Sequence, residues 1–180
     1  VGPGFGVLTF ALAGKAKKVV AFEIEKKLQN YWAPFCHPRT RYASINSSGD
    51  PGVQCLENLE IIWGNILKEF PCHPRENGDP VLCKRLDSRF HGNDSYKVVA
   101  NLPYQITSNV IRVFLEAENQ PSTMTLMVQK EVAERICAKP GEMSLLALSV
   151  QYYADAEIVA QVPRKLVWPE HAVDSAIIKL

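Results

Sequence analysis

Apolar residues recur along the chain in short blocks whose spacing switches between helical and extended periods. VLTFALA (7–13) has the apolar content of a short buried helix. VVAFEI (19–24) is β-branched and apolar throughout, which suits a strand buried on both faces. EKKLQNYW (25–32) reads as a helix with a charged start, and LEIIWGNIL (59–67) returns to strand character. KVVANLPY (97–104) predicts a buried strand running into a turn. In TSNVIRVFLEAE (107–118), Thr107 or Ser108 offers an N-cap, and apolar residues at 110, 111, 114 and 115 predict a helix. TMTLMVQ (123–129) predicts a strand and KEVAERICA (130–138) a helix that Pro140-Gly141 breaks. MSLLALSVQYY (143–153) predicts another apolar helix. AEIVAQVP (156–163) and VDSAIIKL (173–180) read as strands joined by RKLVWPEHA. This alternation predicts a parallel α/β sheet with the last two strands antiparallel.

Two stretches break the pattern. From Pro34 to Gln54, and again from Pro71 to Asp94, the chain is polar, irregular and rich in Pro, Gly and Asn. Loops this long are unusual inside a small domain. They also resemble each other: CHPR (36–39) precedes GDPGV (49–53), and CHPR (72–75) precedes GDPV (78–81). Duplicated inserted sequence in tolerant loops explains this best. The alternative, a metal site of Cys36, His37, Cys72 and His73, fits no zinc spacing.

Composition narrows the picture only slightly. The chain has 180 residues, 47% hydrophobic and 22% charged, with a net charge of +1. This suits one domain with a real core and gives no whole-molecule field for nucleic acid. No apolar run is long enough to span a membrane. VLTFALAG imitates a leader's apolar region, but no basic segment precedes it. The five cysteines (36, 55, 72, 83, 137) cannot all pair, and none forms C-x-x-C. A reduced, cytoplasmic chain is the simplest expectation.

Candidate chemistry begins at Gly2, Gly4 and Gly6 of VGPGFG. Missing Cβ atoms allow a tight turn and close approach of a ligand, and the following helix points its N-terminus at the same place. Glu23 ends the next strand, where a carboxylate can accept ribose hydroxyls. A dinucleotide calls for G-x-G-x-x-G, and here the third glycine comes one residue early. A P-loop requires a Lys-Ser/Thr pair that is absent. An adenosyl group without a pyrophosphate, as in S-adenosylmethionine, remains, beside the plain reading of a turn with no ligand.

Asn101-Leu102-Pro103-Tyr104 adds a second feature, since α/β folds place ligands at the carboxyl ends of strands. Adenine's exocyclic amine is a poor nucleophile because its lone pair is delocalised into the ring. The Asn101 carbonyl, with a nearby backbone carbonyl, can accept both N–H bonds and favour a tetrahedral nitrogen. Pro103 stiffens the turn and cannot donate. Tyr104 offers a ring for a base to stack on, worth about 1–3 kcal/mol. An Asn-capped turn with a core Tyr is the bland alternative.

GPGFGVLT, NLPYQITS, LMVQKEVAERI, LSVQYYA and VDSAI together resemble the ribosomal RNA adenine N6-dimethyltransferase family. That family includes the bacterial small-subunit rRNA dimethylases and the erythromycin-resistance methylases. The likeness implies an α/β fold: a Rossmann-like class I methyltransferase sheet, mostly parallel, with an antiparallel C-terminal strand pair. It implies S-adenosylmethionine as methyl donor and the N6 of an adenine in ribosomal RNA, of the small subunit or its assembly intermediate, as acceptor. Such bases are reached in loops or by flipping. By the same likeness, Gly2, Pro3, Gly4, Gly6, Glu23, Ile24, Asn65, Ile66 and Asn101 would hold the cofactor. Asn101 and Tyr104 would be catalytic, and Pro103, Tyr104, Val167 and Trp168 would meet the target base. The expected protein is a cytoplasmic monomer without metal or membrane contact.

The sequence departs from the family in places. Asn65 stands where the family carries an Asp on the cofactor's adenine amine, which predicts weaker cofactor binding. Val167 stands where an aromatic sandwiches the target base, with Trp168 beside it, and His171-Ala172 replace Pro-Lys. The expected organisation is one methyltransferase domain over 1–180, with inserted loops at 34–55 and 71–94. The first strand is expected to be largely missing and the C-terminal helical RNA-binding domain absent. Those departures keep a rival open, a non-catalytic RNA or ribosome-assembly binder or inactive remnant.

Overall fold

The structure is a computed structural model that describes residues 2–35, 56–69, 95–167 and 172–180. Both CHPR loops, with Cys36, His37, Cys72 and His73, lie outside the described residues, as does Trp168. The chain divides into two compact units, 1–66 and 67–180.

In the first unit, helix α1 (Val7–Ala13) follows the glycine turn and leads to strand β1 (Val19–Glu23). β1 pairs in parallel with β2 (Leu59–Trp63), with Glu23 opposite Trp63. α1 is not the buried helix expected from its composition. Thr9 and Ala13 are buried, but Val7 and Leu8 are exposed. The segment 25–32 is not one helix either. Residues Lys26–Leu28 form a 3-10 turn, Gln29–Trp32 one short helix (α2), and Ala33–Phe35 a second 3-10 turn. Aromatic packing governs this stretch. Trp32 is fully buried with Ala21, Leu59 and Ile61, and the rings of Phe10 and Phe35 pack against it. Gly64 ends β2 four residues earlier than the apolar run suggests, and Ile66 begins helix α3 (Ile66–Glu69).

In the second unit, β3 (Lys97–Asn101) pairs in parallel with β4 (Thr123–Gln129). Between them lie a 3-10 turn, Tyr104–Ile106, and helix α4 (Thr107–Leu115). Helices α5 (Lys130–Ile136) and α6 (Leu145–Gln151) then lead to β5 (Glu157–Val162) and β6 (Ser175–Lys179). The sheet order is β3-β4-β6-β5. β6 runs antiparallel to both neighbours, so a single reversed strand sits between two parallel ones. This is the Rossmann-like methyltransferase sheet with antiparallel C-terminal pairing.

The spacing of apolar residues explains the core. Met124, Leu126 and Val128 alternate along β4 and are buried. In register beside them lie Val98 and Ala100 of β3 and Ile178 and Ala176 of β6. α4 buries Val110, Ile111 and Phe114 at helical spacing. α5 lies against β4 and β6, and α4 against α6. Gln151 donates from Nε2 to the carbonyls of Ile136 and Ala138 at 2.8 and 2.9 Å, closing the C-terminal end of α5.

The expected cap on α4 is not made. Thr107 already has helical dihedrals, φ −52° and ψ −56°, so its side chain lies within the first turn rather than before it. Its Oγ1 is buried without a hydrogen-bond partner among the described residues. Ser144, by contrast, is extended and accepts from the Ala147 N–H at 3.3 Å.

Candidate functional site

Within the first unit the glycine turn, Glu23 and Asn65 are drawn to one end of the β1–β2 pair. Gly2 N–H donates to the Phe22 carbonyl at 2.8 Å, and Gly6 N–H to the Pro3 carbonyl at 2.8 Å. Gly64 N–H donates to the Glu23 carbonyl at 2.9 Å, which sets Asn65 beside that strand end. Gly2, Gly4 and Gly6 all have positive φ, at 67°, 52° and 91°. Their reasons differ. A Cβ on Gly2 or Gly4 would meet nothing within 4 Å among the described residues, which leave the space before the turn open. A Cβ on Gly6 would lie 2.5 Å from the Phe10 ring and 2.7 Å from the Trp32 ring.

Trp32 and Tyr31 hold the turn from behind. Trp32 Nε1 donates to the Gly4 carbonyl at 2.9 Å, and the Tyr31 hydroxyl to the Phe5 carbonyl at 2.7 Å. Neither residue is part of the glycine motif. Their aromatic character was the available signal, but their targets lie 28 and 26 residues away.

Glu23 is buried, and the protein itself uses its carboxylate. Oε2 accepts from the Gly4 N–H at 3.1 Å and Oε1 from the Glu25 N–H at 2.8 Å. Each oxygen keeps a further lone pair, so acceptance from a ribose hydroxyl is compatible with this geometry. Ile24 is 67% exposed and Phe5 70% exposed, giving apolar surface close to the acid. Ile66 has its side chain in the core. An open glycine turn, a strand-end carboxylate and an exposed Ile24 fit a nucleoside-bearing cofactor such as S-adenosylmethionine.

This arrangement carries a stability prediction. Glu23→Gln leaves one carbonyl oxygen for two N–H groups and aims an NH₂ at the other. Leaving such a donor opposed costs about 1–3 kcal/mol. Urea unfolding of the variant is therefore expected to shift by that amount. No shift would mean that the carboxylate does not hold the turn.

Within the second unit, Asn101 is the last residue of β3 and is exposed. Leu102 is buried and pins the turn, while Pro103 is exposed at φ −56° and ψ 131°. Tyr104 is half-buried, and its hydroxyl lies 2.8 Å from Ser175 Oγ. Ser175 is a residue that pattern reasoning missed, since a lone Ser in VDSAI carries no mark of a partner 71 positions away. Val167 is half-buried just after the 3-10 turn Arg164–Leu166, and Leu166 beside it is 76% exposed.

A cleft of about 450 Å³ opens at the end of β4, lined by Gln129, Lys130, Glu131, Arg164, Val173 and Asp174. Asp174 organises its rim. Its carbonyl accepts from the Lys130 N–H at 3.0 Å, and its Oδ1 from the Arg164 N–H at 2.9 Å. Gln129 pairs with Ser175 in register, so cleft and NLPY turn share one end of the sheet. Among the described residues there is no cluster of three or more His, Cys, Asp or Glu that could hold a metal. None of their helices is long and apolar enough to cross a membrane. Burial, with Glu157 nearby, pushes the Cys137 thiol up.

A family model described as ribosomal RNA adenine dimethylase matches residues 1–180. Ribosomal RNA small subunit methyltransferase A of Dehalococcoides mccartyi is 39% identical over 180 residues, covering all of this chain and 51% of the relative. The protein of the same name from Anoxybacillus flavithermus is 38% identical over 182 residues, with 52% of its length covered. Among solved structures, the 23S rRNA methyltransferase ErmE aligns with a TM-score of 0.67 at 26% identity, over 99% of this chain and 57% of that one. A dimethyladenosine transferase from Plasmodium falciparum aligns with a TM-score of 0.67 at 27% identity, over 99% and 53%. The chain spans about half the length of the curated relatives it matches.

Proposed function

The chain belongs to the ribosomal RNA adenine dimethylase family, and from that premise we propose that it transfers methyl groups from S-adenosylmethionine to the N6 of adenine in ribosomal RNA. The observation that carries this reading is the NLPY turn at the carboxyl end of β3, with Asn101 exposed and Tyr104 tied by its hydroxyl. The curated relatives named as small-subunit rRNA methyltransferases favour small-subunit RNA as the substrate class. They give no support to the rival reading of a non-catalytic binder. The site of action is then the cytoplasm, where bacterial ribosomes are. The described segments belong to the methyltransferase domain.

The roles follow from chemistry. When bound, the cofactor supplies a methyl group activated by a sulfonium centre, so no strong base is required. Gly2 and Gly4 leave the turn open for it, Glu23 accepts its ribose hydroxyls, Ile24 covers its adenine, and Asn65 accepts from the adenine amine. Asn101 accepts from the target amine and holds it in a tetrahedral geometry. The nitrogen would bond to the methyl carbon as the sulfur–methyl bond breaks to leave a neutral thioether, and it would give up its proton to water. Tyr104 stacks on the base, Pro103 keeps the turn rigid, and Val167 borders the base. The cleft at Gln129 and Arg164 leaves room for RNA next to the target. Positioning accounts for most of the rate.

The test is direct. The chain is incubated with labelled S-adenosylmethionine and unmethylated small-subunit rRNA, and the RNA is digested to nucleosides. Label in N6-methylated adenosine is expected. Label elsewhere, or none, rejects the reading.

A further inference from the structure

We propose that Ser175 is a positioning residue for base capture: it holds the Tyr104 ring at the angle from which the ring stacks on the target adenine. The inference rests on the functional reading above and adds a residue to it.

Three observations carry it. The first is the contact itself, Tyr104 Oη to Ser175 Oγ at 2.8 Å, in which either hydroxyl can donate. The second is burial. Ser175 is 0% exposed, although the next two positions on its strand face are only half-buried (Ile177) and exposed (Lys179). A hydroxyl removed from water needs a partner, and Tyr104 is that partner. The third is rigidity. Ser175 is the first residue of β6 and is paired on both sides, with Gln129 of β4 and Val162 of β5. Asp174 before it is fixed by Lys130 and Arg164.

The geometry has a consequence for the ring. A phenol O–H prefers the plane of its ring, and so do the lone pairs available to a donor. A hydrogen bond at Oη therefore resists both tilt of the ring and rotation about its long axis. Tyr104 follows Pro103, whose φ is limited by its own ring. The tyrosine is thus held at its backbone by the turn and at its far end by a strand. A stacking platform fixed at both ends loses little conformational entropy when a base arrives.

The test is a double-mutant cycle on the whole chain. Ser175→Ala and Tyr104→Phe each remove one hydroxyl and leave the ring in place. Each is expected to lower kcat for methyl transfer about tenfold, the scale of one hydrogen bond. KM for rRNA should stay within about twofold, because most RNA affinity comes from backbone contacts away from the target base. The double variant should be no slower than either single one. Ser175→Thr keeps the hydroxyl and should recover transfer to within about threefold.

A merely structural Ser175 would slow transfer equally in the unaltered and Tyr104→Phe backgrounds, and that result overturns the proposal. Unchanged kcat in Ser175→Ala overturns it as well. If Ser175→Ala does not fold, Tyr104→Phe decides alone, and an undiminished kcat there rejects the idea. Absence of transfer by the unaltered chain instead rejects the functional reading, and this inference with it.

Discussion

Replacing Asn101 by Ala is expected to lower methyl transfer to rRNA by at least about a hundredfold while leaving the fold intact. The rate loss follows from the weakness of adenine N6 as a nucleophile. Without an acceptor for its N–H bonds the amine stays planar and conjugated, and it is free to rotate away from the donor methyl. A reacting group misplaced by about 1 Å already costs on the order of 10²-fold. Stability is spared because the Asn101 side chain is exposed and the turn is anchored by its buried neighbour, Leu102. β3 also keeps its register with β4, where Asn101 faces Met127. Exposed positions of this kind change stability by less than about 0.5 kcal/mol. Thermal unfolding of Asn101→Ala should therefore overlay the unaltered chain. Asn101→Asp retains an acceptor and should restore part of the rate. Undiminished transfer by the Ala variant would remove Asn101 from the mechanism.

What could be read in the sequence was what short-range periodicity encodes. TMTLMVQ is a strand over 123–129, and its buried positions alternate as its apolar ones do. The helix after NLPY buries the residues its spacing marked. Local pattern failed where the deciding partner was distant. EKKLQNYW has helical composition, but Trp32 must fill the core beneath the glycine turn while Tyr31 reaches Phe5, and the segment breaks into short turns. Thr107 looked like a cap, yet the 3-10 turn at 104–106 begins the helical path too early for it. The antiparallel pairing of the last two strands was legible, but the place of β6 between β4 and β5 follows from sheet order, which no single segment contains. Within the candidate site, the glycines, Glu23, Asn101 and Tyr104 were legible as motifs. Trp32 and Ser175 were not, because each acts through another residue 28 or 71 positions away.

Gly6→Ala and Gly4→Ala separate the two roles that one glycine motif conceals. Both place an L-residue at positive φ, 91° and 52°, which costs about 1–2 kcal/mol. Only at position 6 does the added methyl collide with packed rings, 2.5 Å from Phe10 and 2.7 Å from Trp32. Trp32 cannot retreat, since it is fully buried and its Nε1 is bonded to the Gly4 carbonyl. Overpacking of this kind adds about 1–3 kcal/mol. Gly6→Ala should therefore destabilise by about 2–5 kcal/mol in urea unfolding followed by tryptophan fluorescence, a large part of a domain's usual 5–15 kcal/mol. At position 4 the methyl enters open space, so only the backbone cost remains in the free protein. That same space is where the cofactor would lie. Gly4→Ala should accordingly weaken S-adenosylmethionine binding, measured by calorimetry at a temperature where the variant is folded, by more than tenfold. Equal destabilisation by the two variants would mean that the rings do not dictate glycine at position 6. Unchanged binding by Gly4→Ala would mean that the open face of the turn is not the cofactor's seat.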